Sequence, residues 1–146
     1  MEMAALRKRP WTHTPPSVFD IVTSYFPERT GEPSLKLRPS LVLAVLQEEN
    51  TGAFACHVAF GTKNLKLLQR QHLDLVVQNF RDLDHLGLHR ATRFDLDQKV
   101  TLPWTEEFFG CWEGQSTPVI GALTENYLRD YAFLMLRREA MRQTEQ

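Results

Sequence analysis

Three groups of side chains along this chain have the types and spacing for chemistry on an anion. Lys36 and Arg38 stand directly before an apolar run, and residues 33–47 carry no acid. Thr62 and Lys63 open a second stretch, residues 61–73, in which Lys63, Lys66 and Arg70 again meet no acid. Arg93 and Asp95 lie two apart, so on a strand their side chains share a face. The chain has 17 basic and 18 acidic side chains and a net charge of −1, which argues against a strongly basic duplex-coating protein. In such a chain the acid-free stretches are local positive patches, suited to a phosphodiester backbone. A guanidinium beside a carboxylate is either a plain surface ion pair or an acid–base couple beside a phosphate clamp.

Other chemistry-bearing residues read as structure. His85 and His89 are spaced i, i+4, but Gly87 between them breaks the helix that a paired ligand set needs. Neither Cys56 nor Cys111 has a histidine at finger spacing, and two cysteines build neither a disulfide framework nor a four-cysteine zinc site. No metal and no cofactor is expected. Cys56 falls on the apolar face of its strand and reads as a buried, inert thiol. Trp104, Phe108, Phe109 and Trp112 form a dense aromatic run, more characteristic of core or interface than of base stacking. Arg137 and Arg138 are assigned to the solvated face of a terminal helix.

The elements that must position these groups are mostly strands. Val18–Phe26 is rich in β-branched and aromatic residues and ends at Pro27. Residues 27–33 gather Pro, Gly, Thr and charges and read as a loop. Leu41–Leu46 (LVLAVL) is a short continuous apolar run, predicted to be a strand buried on both faces. Asn50-Thr51-Gly52 marks a turn. In Ala53–Phe60 the side chains of Phe54, Cys56, Val58 and Phe60 alternate with Ala53, Ala55, His57 and Ala59, giving a second hairpin arm. Leu73–Val77 is predicted as a strand. Gln78–Leu86 is predicted as a short helix capped by Asn79 and stopped by Gly87. Thr92–Leu96 and Lys99–Leu102 read as two short strands separated by a bend, and Val119–Leu123 as a weak one. After Thr124, a candidate N-cap, the residues Tyr127, Leu128, Tyr131, Leu134 and Met135 recur at helical spacing. Short strands followed by one terminal helix predict a mainly β fold, a small bent sheet or barrel closed by helices.

At 146 residues the chain has the size of one domain, large enough to bury a core without staples. Residues 1–17, with Arg7, Lys8, Arg9, Pro10, Pro15 and Pro16, are predicted to be an extended arm, and 18–146 the domain. No run approaches the roughly 18 apolar residues of a membrane span, and no apolar stretch follows the N-terminal charges as a secretory signal requires. A soluble cytoplasmic protein is the expectation.

From about Val18 to Phe109 the chain resembles the PemK/MazF family of toxin endoribonucleases from bacterial toxin–antitoxin operons. Four segments carry the resemblance. FDIV at 19–22 matches the opening strand, usually written Gly-Asp-hydrophobic, with Phe19 in place of the glycine. KLRPSLVLAV at 36–45 matches the basic-x-Arg-Pro-small-hydrophobic strand. VAFGTK at 58–63 matches a third strand that ends in a threonine-bearing loop, and ATRFDLDQKVTLP at 91–103 matches a [KR]-F-D-L segment followed by Leu-Pro-aromatic. Residues 104–146 have no counterpart in this motif set.

The resemblance implies a small SH3-like β-barrel of the kind these toxins share with gyrase poisons, usually a homodimer, with an antitoxin protein as partner. It implies metal-independent cleavage of single-stranded RNA, the 2′-hydroxyl attacking the adjacent phosphorus. Carried onto this chain, Arg38 contacts the phosphate, Thr62 hydrogen-bonds it, Arg93 and Asp95 supply acid and base, and Asp20 is mainly structural. Lys36, Lys63 and Lys66 are the candidate substrate-binding cations. As chemistry, Asp is a weak base at its ordinary pKa of about 3.9, and Arg a weak acid with a pKa above about 12. The competing reading is a non-catalytic binding module on the same barrel, gyrase-poison-like or regulatory, for which the aromatic run and terminal helix are suitable interface material.

Overall fold

Strands β2 (Arg38–Gln47) and β3 (Phe54–Thr62) form the central hairpin of the sheet. The structure, a computed structural model, describes residues 10–11, 14–27, 33–65 and 73–144. The hairpin closes at Asn50-Thr51-Gly52, where the Gly52 N–H donates to the Glu48 carbonyl at 2.8 Å and Gly52 takes φ +73°. A left-handed φ carries no Cβ penalty in glycine, which is why the turn falls there.

The alternation in β3 sorts its side chains as the sequence predicts. Cys56 and Val58 join one hydrophobic cluster with Val22, Val42, Leu102, Trp104 and Phe109. Ala59 joins the cluster on the opposite face, with Ile21, Leu41, Phe94 and Leu96. In β2 the expectation of burial on both faces holds only at the start. Leu41 and Val42 are fully buried, one in each cluster, but Leu43–Val45 are partly buried and Leu46 is 49% exposed. Strand β1 (Asp20–Ser24) pairs with β2 only as far as Leu41, so the later residues of β2 extend beyond that neighbour.

β1 (Asp20–Ser24) pairs with β2 and β6 (Val119–Ala122) pairs with β1; β5 (Thr92–Pro103) pairs with β3 and β4 (Leu75–Val77) with β5. The result is six antiparallel strands in the order β4-β5-β3-β2-β1-β6, curled into a half-barrel. The mainly β fold with a C-terminal helix is thus present. The two short strands expected at 92–96 and 99–102 are one strand. Its register against β3 jumps from Ala59↔Lys99 to Phe60↔Asp95, so the expected bend is a bulge within a continuous ladder.

Helix α1 (Phe80–His85) begins as expected at Asn79, whose Oδ1 accepts the Arg81 N–H at 3.0 Å, and ends at Gly87 with φ +74°. A Cβ on Gly87 would stand 2.1 Å from the Ile120 carbonyl oxygen, so this turn packs against β6 backbone to backbone. Helix α2 (Glu125–Thr144) buries Tyr127 and Leu134, with Tyr131 and Met135 packed beside them, while Phe133 and Leu136 stay exposed. The Thr124 hydroxyl donates to Asn126 Oδ1 at 2.6 Å, a side-chain contact at the expected cap. No described helix is long and apolar enough to cross a membrane.

In the expected loose arm, Pro10 and Trp11 are held. Pro10 bridges Thr105, and the Trp11 indole donates to the Phe109 carbonyl at 3.0 Å. Arg7, Lys8 and Arg9 lie outside the described residues.

Candidate functional site

The site grows from the point where β2 begins and β3 ends. Pro39 removes a backbone donor and fixes φ at the entrance to β2, so Arg38 starts from a constrained strand end paired with Ser24. Its guanidinium lies over the Phe60 ring, 5.7 Å from the centroid, a cation–π contact that directs the side chain across β3. Gly61 lets the two strands approach: a Cβ there would stand 2.3 Å from the Pro39 carbonyl oxygen. That close crossing puts Thr62 and Lys63 beside Arg38.

Thr62 Oγ1 accepts the Asn64 N–H at 3.1 Å. With a lone pair engaged there, the hydroxyl keeps its own proton to donate into the groove. The third wall comes from the segment after α1. Gly87 ends the helix, the Leu88 N–H donates back to the Leu83 carbonyl at 2.8 Å, and the chain then presents His89, Arg90 and Thr92. Trp112 closes the groove from the loop after the buried Phe109, its ring stacked on His89 at 4.0 Å between centroids and 22° between planes. The hollow so formed has a volume of about 330 Å³. Its lining includes Lys36, Arg38, Lys63 and Arg90 and, among the described residues, no carboxylate.

The structure therefore brings together Lys36, Arg38, Thr62 and Lys63 from the sequence-derived set. Lys66 lies outside the described residues. Arg93 and Asp95 are not in the lining. Arg93 is buried, and its NH1 bonds Asp74 Oδ2 at 2.6 Å, with Asp95 Oδ2 at 3.5 Å as a longer second contact. Asp74 also accepts the Leu96 N–H at 3.1 Å and an Arg138 NH2 at 3.0 Å, which ties α2 to the sheet. Arg138, expected on the solvated face, is part of this network. Through Nε, Arg93 donates to the Asn64 carbonyl at 2.9 Å, directly under the turn that holds Thr62. Its position is that of a brace beneath the groove. Asp20 Oδ2 accepts the Ser17 N–H at 2.8 Å, a turn-closing contact consistent with a structural part.

Sequence reasoning gives no place in the groove to four polar or aromatic lining residues, His89, Arg90, Thr92 and Trp112. It reads His89 as a rejected metal ligand, Trp112 as core or interface ahead of base stacking and Thr92 as the start of a strand, and it assigns Arg90 nothing. Trp104, Phe108 and Phe109 are core as expected, whereas Trp112 is only partly buried. No local pattern marks His89 and Trp112 as neighbours, since 22 residues of intervening chain separate them. No protein-family model matches the chain, and no curated protein matches it in sequence.

The arrangement suits a polyanion that carries flat rings. Arg38 presents parallel donors to phosphate oxygens, and the lysines and Arg90 add charge that does not depend on sequence. Thr62 offers a hydroxyl donor, and the stacked pair offers an aromatic surface against which an unpaired base can lie.

Proposed function

We propose that this protein is a PemK/MazF-like endoribonuclease that grips single-stranded RNA in the groove at the start of β2 and cleaves it by attack of the 2′-hydroxyl on the adjacent phosphorus. The observation that carries the reading is the convergence of Arg38 and Thr62, from different strands, on one hollow that Lys36 and Lys63 flank and that no carboxylate lines among the described residues. Arg38 and Thr62 stabilise the charge that builds on the phosphorane oxygens, which is work that fixed donors do well in a partly enclosed site. A second support is Phe19. It stands where the family motif has glycine, and its φ of +72° lies in the left-handed region that glycine favours.

The protein works in the cytoplasm as a homodimer that an antitoxin restrains. The terminal positions of β4 and β6 in the sheet and the exposed Phe133 and Leu136 of α2 favour such contacts. Those same surfaces favour the second reading, a non-catalytic module that captures a protein.

Incubation of the full chain with a mixed-sequence oligoribonucleotide in EDTA separates the two. Cleavage to 2′,3′-cyclic phosphate and 5′-hydroxyl ends, with no cleavage of the 2′-deoxy analogue, is the expected result. Failure to bind or cleave the RNA, together with tight capture of a protein partner, overturns it in favour of the module.

A further inference from the structure

The groove contains a proton-transfer group that the motif set does not include. With Arg93 committed to Asp74 and absent from the lining, the polar side chains that reach the hollow among the described residues are Lys36, Arg38, Thr62, Lys63, His89, Arg90 and Thr92. Lysine and arginine stay protonated at working pH and threonine is not a base, so histidine alone in this set exchanges a proton near neutrality. We infer that His89 is the acid–base catalyst of this site and that Trp112 is its positioning residue. The inference rests on the RNA-cleaving reading above.

Three features converge on it. The His89 ring is held, stacked at 4.0 Å and 22° on Trp112, which fixes the plane of the imidazole without using a nitrogen. The His89 side chain is exposed and lines the hollow, and neither ring nitrogen hydrogen-bonds to a described residue. His89 is also the ridge between this hollow and a neighbouring one over α1, so a strand passing from one to the other crosses the imidazole. The charged groups around it are Lys36, Arg38 and Lys63 from the β2–β3 side and its neighbour Arg90. On the α1 side they are Arg81, Asp84 and His85.

The step balances without a co-reactant. A neutral His89 nitrogen takes the 2′-hydroxyl proton as the 2′-oxygen bonds to phosphorus. The phosphorus–O5′ bond breaks, the departing 5′-oxygen takes a proton from solvent, and the imidazolium returns its proton to solvent. The RNA is isomerised into a cyclic phosphate end and a 5′-hydroxyl end, with no net proton consumed.

The test compares the full-length protein with His89→Ala, His89→Gln, Trp112→Phe and Trp112→Ala on one oligoribonucleotide. Binding is followed by anisotropy and cleavage by single-turnover rates from pH 5 to 9. His89 is exposed, so its variants are expected to fold, and circular dichroism checks that they do. Both His89 variants are expected to cleave about 10²–10⁴-fold more slowly, a far larger loss than the weakening of binding that follows from one missing stacking ring. They are also expected to lose the acid limb of the pH profile, and added imidazole restores part of the His89→Ala rate. Trp112→Ala lowers the cleavage rate more than it weakens binding, and Trp112→Phe, which keeps a stacking ring, recovers part of both. His89 variants that cleave at the parental rate or keep the parental pH profile overturn the assignment. If the parent binds RNA without cutting it, the inference fails while RNA binding stands. If the parent does neither, the RNA reading itself fails.

Discussion

Arg93 stands 3.5 Å from Asp95, its neighbour on the same strand face, yet its short bond of 2.6 Å goes to Asp74 on β4's approach. The Asp74 side chain has no exposed surface and Arg93 only 4%. Arg93→Ala takes the shorter ion pair from the buried Asp74 and leaves Arg138 and the Leu96 N–H on it. The loss of stability is therefore expected at the lower end of the about 3–5 kcal/mol that breaking a buried pair outright costs, read from urea denaturation. Arg138→Ala costs less, since Arg93 still faces Asp74. A stable Arg93→Ala protein that has simply lost activity returns Arg93 to the chemistry.

Arg38 gives the opposite pattern. Its guanidinium rests on Phe60 and lines the groove, and its contribution to stability is that of a partly exposed cation–π contact, about 0.5–1 kcal/mol. Losing a donor that stabilises a transition state costs about 10²–10³ in rate. Arg38→Ala is therefore expected to melt within a few degrees of the parent, cleave RNA at least 100-fold more slowly on that principle, and no longer arrest growth when expressed. Thr62→Ala follows the same direction more weakly. An Arg38→Ala protein that cuts at the parental rate removes the central residue of the proposal.

Phe19 holds a left-handed backbone, φ +72°, while its ring packs edge-on against Tyr131 at 5.0 Å. Replacing it by alanine removes the ring and keeps the strain; glycine removes both. A left-handed residue with a Cβ costs about 1–2 kcal/mol. At ordinary positions alanine is the more stable of the two, so the ordering is diagnostic. Phe19→Gly is expected to exceed Phe19→Ala in stability by about 1 kcal/mol. Thermal melts showing the usual order, alanine above glycine, would contradict the strained turn.

Cys56 is fully buried, and burial pushes its thiol from 9.0 up to about 12. In the unfolded chain the thiol ionises first, so the stability it contributes is complete below pH 9.0 and is lost as pH rises toward 12. The full effect is about 4 kcal/mol for a three-unit difference. Tyr127, raised above its ordinary 10.0 chiefly by burial and by its hydrogen bond to Asp82, acts in the same sense at still higher pH. Denaturation midpoints are expected to hold steady to pH 9 and fall beyond it, and Cys56→Val flattens the first part of the fall. A thiol reagent labels the partly buried Cys111 in the native protein and Cys56 only at the rate of unfolding. Fast labelling of both at neutral pH refutes the buried assignment.

What the sequence determined by itself was local. Alternation placed Cys56 and Val58 opposite Ala59, Asn50-Thr51-Gly52 turned the hairpin, and Asn79 and Gly87 bounded α1, because these signals act through neighbouring backbone and side chains within a few residues. The Arg38 and Thr62 half of the candidate site was legible for a related reason: each sits at the end of a strand whose pairing the sequence predicts.

Tertiary structure decided the rest. Arg93 found Asp74 and Asn64 because β4 and the turn after β3 close over it, a choice made by burial that a two-residue spacing on one strand cannot encode. The bulge in β5 appeared where a bend was expected because β3 keeps both halves in one ladder. Trp112 left the aromatic core and met His89 because Phe109, buried among Trp104 and Trp11, anchors the preceding turn and carries the next residues to the far wall of the groove. Long-range burial selects among partners that are locally equivalent, and that selection made the wall of the candidate site visible only once the chain was folded.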